Sequence, residues 1–213
     1  NATPDKIQEL FPESFYENTF GTVTVKTGSE DPTLAHVQIT PYRIEATYTD
    51  KRHPDQVRFA AELKDDLGRR DFTVNAMAMD TDGQIVDFYD GQGDLKKRTI
   101  RAVGGAGERF DEDALRILRA IRFAATLGFT IDPETMAAIK ENYHLLRVIS
   151  KERIRDEFVK IVESSRAYEG MLLLLETGVL EHVIPELLTG VSMEQNLHHI
   201  YTIWEHITRA LKY

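Results

Sequence analysis

The hydrophobic period changes once along this chain, and that change limits its possible folds more than any other feature. From Gly21 to about Asp90, apolar and β-branched residues alternate in segments 22–26, 36–40, 42–48 and 84–88. Alternation at period two marks half-buried strands, and the turn-forming stretches 27–32 and 81–83 separate them. Thr3 before Pro4 predicts a short helix through Leu10, and a second helix is expected over residues 73–79. From Asp111 onward the period is helical. Leu115, Leu118, Ile121 and Phe123 form an apolar stripe that Gly128 stops. Asp132 and Pro133 open a helix through Ile139, and Ser150 opens another, with Arg153 and Glu157 one turn apart. Residues 168–177 and 194–213 predict two more. The class expected is α+β, a mixed-sheet domain followed by all-helical segments. Its boundary falls within residues 90–110, which are rich in Gly and hold the basic run Lys96, Lys97, Arg98.

Composition narrows the function classes. With 213 residues, 42% of them hydrophobic, the chain can bury a sizeable core as one large domain or two small ones. Its longest apolar run, residues 171–175, falls short of the roughly 18 residues a membrane span needs. The absence of Cys excludes a disulfide framework, a thiolate nucleophile and Cys-ligated zinc. No segment resembles a signal peptide, so a cytoplasmic protein is expected. Thirty-five acids against 26 bases give a net charge of -9. That excess argues against a surface coated in positive charge for nucleic acid, though a local basic channel is compatible with it. The first residue is Asn1, at what reads as a helix cap in mid-domain, and the chain reads as a possible fragment.

Two segments carry the chemistry. In the first, residues 66–76, Arg69 and Arg70 stand before Asp71 at a passage from loop to helix. Paired guanidiniums there offer planar forks of donors to a triphosphate. Asp71 can hold an Arg in place or cap the next helix, and Asn75 can meet a base or sugar hydroxyl. A solvated surface charge cluster is the alternative. In the second, residues 112–123, Asp113, Arg116, Arg119 and Arg122 recur every three residues. On a helix they form a drifting polar ribbon, with Glu112 one turn before Arg116 to steady it. An Asp beside an Arg can hydrogen-bond a base edge, the Asp accepting from an exocyclic amine and the Arg donating to a ring acceptor. Arg119 and Arg122 can meet phosphates. An amphipathic helix with a solvated Arg face is the alternative.

Together with the segment 90–101 between them, these motifs resemble the class II tRNA nucleotidyltransferase and bacterial poly(A) polymerase family. RRDFTVNA is similar to its ribose- and phosphate-reading motif, GQGDLKKRTIR to its head-to-neck connector, and EDALRILRAIRF to its amino-acid template for incoming ATP or CTP. Residues 150–157 resemble a later neck motif. The resemblance implies a nucleotidyltransferase head over residues 1–100, a helical neck over 101–165 and the start of a body or HD-type domain over 166–213. It implies that Arg70 contacts the triphosphate, that Asp113 and Arg116 pair with the incoming base, and that Arg119 and Arg122 support base and phosphates. It also implies Mg²⁺ as cofactor. The family's Gly-Gly-x-Val-Arg-Asp and Asp-x-Asp carboxylate segments have no counterpart here, so the metal ligands are expected mostly upstream of Asn1. Glu45 is the one candidate for a further acidic group beside the metals; a strand residue facing water is the alternative. Residues 48–66, with Lys51, Arg52 and Arg58, resemble the family's flexible loop, or form a plain polar excursion.

A third constellation is His198, His199 and His206. Spaced by seven, His199 and His206 share a helix face, resembling the entry to an HD-type phosphohydrolase domain, though the ligands present are too few for a metal site. The function expected is template-independent addition of C, A or both to tRNA 3′ ends from CTP and ATP. Poly(A) synthesis, a non-catalytic nucleotide- or RNA-binding fragment, and an HD-type metal phosphohydrolase are the alternatives. Lys96, Lys97, Arg98, Arg101, Lys140, Lys151 and Arg153 are candidate contacts to the RNA backbone along the neck. Oligomeric state is not legible.

Overall fold

A computed structural model describes residues 2–16, 21–46, 56–196 and 200–212. Two compact units are present, residues 1–47 with 54–69, and residues 48–53 with 70–213. Helices and strands mix in the α+β class that the sequence predicts. Among the described residues, no helix is long and apolar enough to cross a membrane.

In the first unit, α1 (Pro4–Leu10) starts where the Thr3 hydroxyl accepts the Lys6 N–H and Pro4 presets the backbone. Next come β1 (Ser14–Tyr16), β2 (Val23–Lys26) and β3 (His36–Ile39), an antiparallel sheet in that order. The central strand buries Val23 and Val25 against Ile7 of α1, so one small core joins helix and sheet. β4 (Arg43–Ala46) and β5 (Gln56–Phe59) pair antiparallel, with Glu45 opposite Val57. α2 (Leu63–Gly68) follows, and its Asp66 carboxylate accepts the Arg43 backbone N–H.

The second unit opens on a 3₁₀ turn, Thr73–Asn75, leading into the hairpin of β6 (Met77–Met79) and β7 (Ile85–Asp87). The helix expected over residues 73–79 is therefore replaced by one turn and a strand. Longer-range bonds decide this: the Thr73 hydroxyl donates to buried Asp94 at 2.6 Å, and the β6 ladder uses the backbone groups a helix would need. α3 (Gly91–Lys97) stands within the Gly-rich stretch. Its start is held by the Asp87 carboxylate, which accepts the N–H groups of Tyr89, Gly91 and Gln92. Desolvation pushes the Asp87 carboxyl up, but the bonds from Gln92, Gly91 and Tyr89 together hold it below the usual range. A Cβ on Gly91 would collide with the Thr73 carbonyl, so glycine permits this close packing.

Among the described residues the remaining elements are helical apart from a short parallel pair, β8 (Thr99–Ile100) with β9 (Thr130–Ile131), and an isolated bridge between Phe72 and Ala102. α4 (Ala106–Glu112) and α5 (Leu115–Leu127) precede β9. After it come α6 (Pro133–Asn142), a 3₁₀ turn Tyr143–Val148, α7 (Lys151–Val162) and α8 (Ala167–Glu176). The last elements are α9 (Leu180–Val183), a 3₁₀ turn Pro185–Gly190 and α10 (Ile203–Ala210). α5 is the core of this unit. Leu115, Ile117, Leu118, Ala120, Ile121, Ala124 and Ala125 are all buried, a wider face than the predicted stripe, because α4, α7 and α8 all pack on it. Each Leu or Ile so buried contributes about 1.5–3 kcal/mol. Gly128, at φ +67°, ends α5 as expected, and the Asp132 carboxylate caps α6. α10 begins at Ile203, not near 194, because Thr202 and Glu205 form a reciprocal capping box there.

Candidate functional site

The polar residues of α5 and the turn before it are ordered by a break in the helix. The segment 112–123 is not one continuous helix: α4 ends at Glu112, and Asp113 is extended, at φ −143° and ψ 103°. Its carboxylate Oδ1 accepts the Leu115 N–H at 3.1 Å, and its carbonyl accepts the Arg116 N–H at 3.0 Å. Asp113 thus acts as a cap for α5, and Arg116 follows within the same turn. Arg116 is buried, and its Nη1 donates to Glu112 Oε2 at 2.6 Å, the steadying contact that the spacing predicts. Glu112 also holds Arg109. The Asp113 Oδ2 receives a 2.7 Å bond from Arg153 of α7.

A second cluster surrounds Asp71, itself buried. Its Oδ1 accepts the Phe72 N–H at 2.8 Å and the Asn75 side-chain amide at 3.1 Å. Its Oδ2 receives Nε and Nη2 of Arg119 at 2.8 and 2.6 Å. Arg70 donates to the Asn75 carbonyl at 3.1 Å. Arg70, Asp71, Asn75 and Arg119 therefore meet in one place. Of the two properties read into Asp71, holding an Arg is the one observed, with a 3₁₀ turn in place of the helix to be capped. Arg69 has a different partner: it donates through Nε and Nη2 to Asp66 Oδ1, within the first unit.

Arg122 lies further along α5. Its Nε donates to Glu157 Oε2 of α7 at 2.7 Å, and Lys160 donates to the other oxygen of Glu157 at 2.9 Å. Desolvation pushes the Glu157 carboxyl up, but hydrogen bonds from Lys160 and Arg122, with both positive charges, hold it below the usual range. The Arg122 guanidinium also lies 3.6 Å from the Phe123 ring centroid, and Arg119 lies 5.4 Å from it. The Arg153 and Glu157 pair suggested by (i, i+4) spacing is not formed; each side chain pairs with a residue of the segment 113–122 instead. No local signal marks those partners, which lie 40 and 35 residues away.

The arrangement can bind an anionic, planar-edged ligand. Each Arg of α5 is fixed by a carboxylate, and Asp71 grips only one edge of Arg119, so other N–H donors of that fork are left for phosphate oxygens. Asp113 carries acceptor oxygens and Arg116, three residues on, carries guanidinium donors, each paired with a residue of opposite charge. Among the described residues, no group of three or more His, Asp or Glu could hold a metal ion. The side chain of Glu45 and residues Lys51, Arg52, His53, His198 and His199 lie outside what is described.

Residues 1–101 match the family model for the poly A polymerase head domain, and residues 128–189 match the model described as a probable RNA and SrmB-binding site of polymerase A. A CCA-adding enzyme of Lactococcus lactis subsp. lactis is 43% identical over 212 residues, covering 96% of this chain and 53% of the relative. The crystal structure of the Bacillus stearothermophilus CCA-adding enzyme in complex with CTP aligns at a TM-score of 0.76 with 37% identity, over 85% of this chain and 43% of that one. A tRNA nucleotidyltransferase complexed with a primer tRNA and an incoming ATP analog aligns at 0.66 with 28% identity, over 88% and 53%. The chain spans about half the length of the curated relatives it matches.

Proposed function

Since this chain belongs to the class II tRNA nucleotidyltransferase and bacterial poly(A) polymerase family, whose members use divalent metal, we propose that it is part of an enzyme adding C, A or both to tRNA 3′ ends from CTP and ATP. The observation that carries this reading is the turn at residues 113–116. Asp113 and Arg116 are three residues apart there, joined through the backbone, and each is braced by a partner of opposite charge, Arg153 and Glu112. A pre-oriented acceptor and donor select the exocyclic amine and the neighbouring ring nitrogen shared by cytosine and adenine.

Arg70, Asn75 and Arg119, gathered around Asp71, bind the sugar and triphosphate; Arg69 and Arg122 support the surrounding structure and phosphates. The family resemblance makes Glu45 the residue of this chain assigned as a further acidic group for the metals. The divalent cation in this reading is Mg²⁺, which would supply charge neutralisation to phosphoryl transfer. Its ligands are carboxylates other than those described, and none of the residues above is assigned a step through it. Residues 1–100 form the head, 101–165 the neck and 166–213 the start of the body. The acceptor stem of tRNA is met through backbone phosphates along the neck. The cytoplasm, where tRNA and free nucleotides coexist, is the compartment this reading implies.

The test is incorporation of labelled CTP and ATP into tRNA lacking its 3′ end, with Mg²⁺, by this chain and by a form extended to the length of its relatives. Addition of up to three nucleotides by the extended form is expected. A long homopolymer of A would instead make it a poly(A) polymerase, and ATP binding without incorporation would make it a non-catalytic binding protein. In the extended form, Asp113→Ala should lower the preference for CTP and ATP over UTP and GTP by about ten-fold or more; unchanged preference would remove Asp113 from base selection.

A further inference from the structure

We infer that the C-terminal end of α3, with Arg166 beside it, is a docking surface for RNA phosphates, centred on Arg98. The inference rests on the proposed tRNA substrate and says which cations along the neck meet it. Three of the candidates are already engaged by carboxylates: Arg101 by Asp94 at 2.8 Å, Lys140 by Glu176 at 2.8 Å and Arg153 by Asp113 at 2.7 Å. Lys151 turns its ammonium to the His182 carbonyl at 3.3 Å. Lys96, Lys97 and Arg98 are exposed, and none of the three forms an ion pair among the described residues. Their charge is left for an external anion, although the chain as a whole carries -9.

The backbone of Arg98 points the same way. It ends α3 at φ 54° and ψ 53°, in the left-handed region. Among the described residues, Asp90 is the other non-glycine residue at positive φ, and Asp tolerates that region through its short polar side chain. Arg has no such relief, and glycine is the residue this position favours. Lys96 and Lys97, in the last turn, already complement the helix dipole without a strained arginine. Strain of this kind collects at functional sites, where a side chain is kept for a purpose other than the fold. The Arg98 carbonyl accepts the Thr130 N–H at 2.9 Å, and Arg166 lies across Gly128, its Nη1 3.0 Å from where a Cβ would stand. Those anchor points are separated by two residues of chain, about 7 Å at most. Exposed Arg166 thus joins the three cations of α3. Guanidinium forks and ammonium groups gathered in this way suit the phosphates of an RNA backbone, which they position without reading its sequence.

The test measures binding of tRNA lacking its 3′ end by the form of the protein extended to the length of its relatives, at salt from about 0.05 to 0.2 M. CTP affinity and melting temperature are read alongside. One phosphate contact is worth about five-fold in affinity near 0.15 M salt, and about one in the slope of log affinity against log salt. Arg98→Gly should therefore weaken tRNA binding about five-fold and reduce that slope by about one, while raising the melting temperature by about 2 °C as the strain is relieved. Arg98→Lys should keep most of the affinity. Arg166→Gln, and Lys96→Gln combined with Lys97→Gln, should also weaken tRNA binding and leave CTP affinity unchanged. Lys140→Gln, which removes a cation already engaged by Glu176, should change tRNA affinity by less than about two-fold. Unchanged affinity and slope in Arg98→Gly and in the double variant overturn the inference. So does a loss in Arg98→Gly that comes with a lower melting temperature and weaker CTP binding, which would make Arg98 a structural cap. Wild-type protein that binds no tRNA overturns the proposed function and this inference together, whereas wild-type affinity retained in the variants overturns this inference alone.

Discussion

Asp71 and Arg119, 48 residues apart, are joined by two hydrogen bonds of 2.8 and 2.6 Å to a single carboxylate oxygen. The other oxygen of Asp71 holds Asn75 and the Phe72 N–H, so one buried carboxylate ties the turn over residues 71–75 to α5. Phe72 reinforces the junction by meeting Phe123 of α5 edge to face at 5.7 Å.

Asp71→Asn should therefore destabilise the protein by about 2 kcal/mol in urea denaturation. That is less than the ~3–5 kcal/mol for breaking a fully buried pair, because solvent screens part of Arg119. A double-mutant cycle with Arg119→Met should give a coupling of about 1 kcal/mol. Additive losses would mean that the pair is not an energetic unit.

Glu157 makes stability depend on acid. Its carboxyl titrates below its ordinary value of 4.5, so the folded state binds the proton more weakly than the unfolded chain. The pair's contribution is complete above that ordinary value and is lost as pH falls through the depressed one. Glu157→Gln should cost about 2 kcal/mol at pH 7, by breaking a buried tie to Arg122. The gap between wild type and variant should close progressively below pH 4.5. A gap that is constant from pH 7 to pH 3 would contradict this assignment.

Asp87 should behave as a helix-start acceptor. Replacing it with Ala leaves the N–H groups of Tyr89, Gly91 and Gln92 without their acceptor and should cost about 1–2 kcal/mol. Amide hydrogen exchange should accelerate at Gly91 and Gln92, at the start of α3. Unchanged protection there would assign the helix start to other contacts.

Gly170 lies where α8 packs tightly against Ile161 of α7 and Ala125 of α5. A Cβ there would lie 2.5 Å from Ile161 Cγ2 and 3.1 Å from the Ala125 methyl. Gly170→Ala gains about 1 kcal/mol of helix propensity but meets overpacking of about 1–3 kcal/mol, so a net loss is expected. Gly170→Val should lose more, as read from thermal unfolding. A stabilised Ala variant would mean that α7 and α8 separate easily.

Signals confined to about one turn of chain were legible in the residues alone. Thr3 with Pro4, Asp132 with Pro133, and Gly128 mark helix ends because capping and left-handed backbone depend on immediate neighbours. The change of period identified the α+β class, and the spacing of Glu112 and Arg116 foretold their ion pair. The Arg-Arg-Asp and Asp113–Arg122 motifs, taken together with the segment 90–101 between them, pointed to the family.

Which acid meets which base depended on chain crossings instead. Arg119 pairs across 48 residues and Arg122 across 35, and packing on α5 brings those segments together. The same applies to the helix expected over residues 73–79, which ladder and side-chain bonds converted into a turn and strand. Local pattern cannot encode an energy that exists only once distant segments touch. Caps and periods were therefore readable along the chain, while the electrostatic organisation of the site came from its packing.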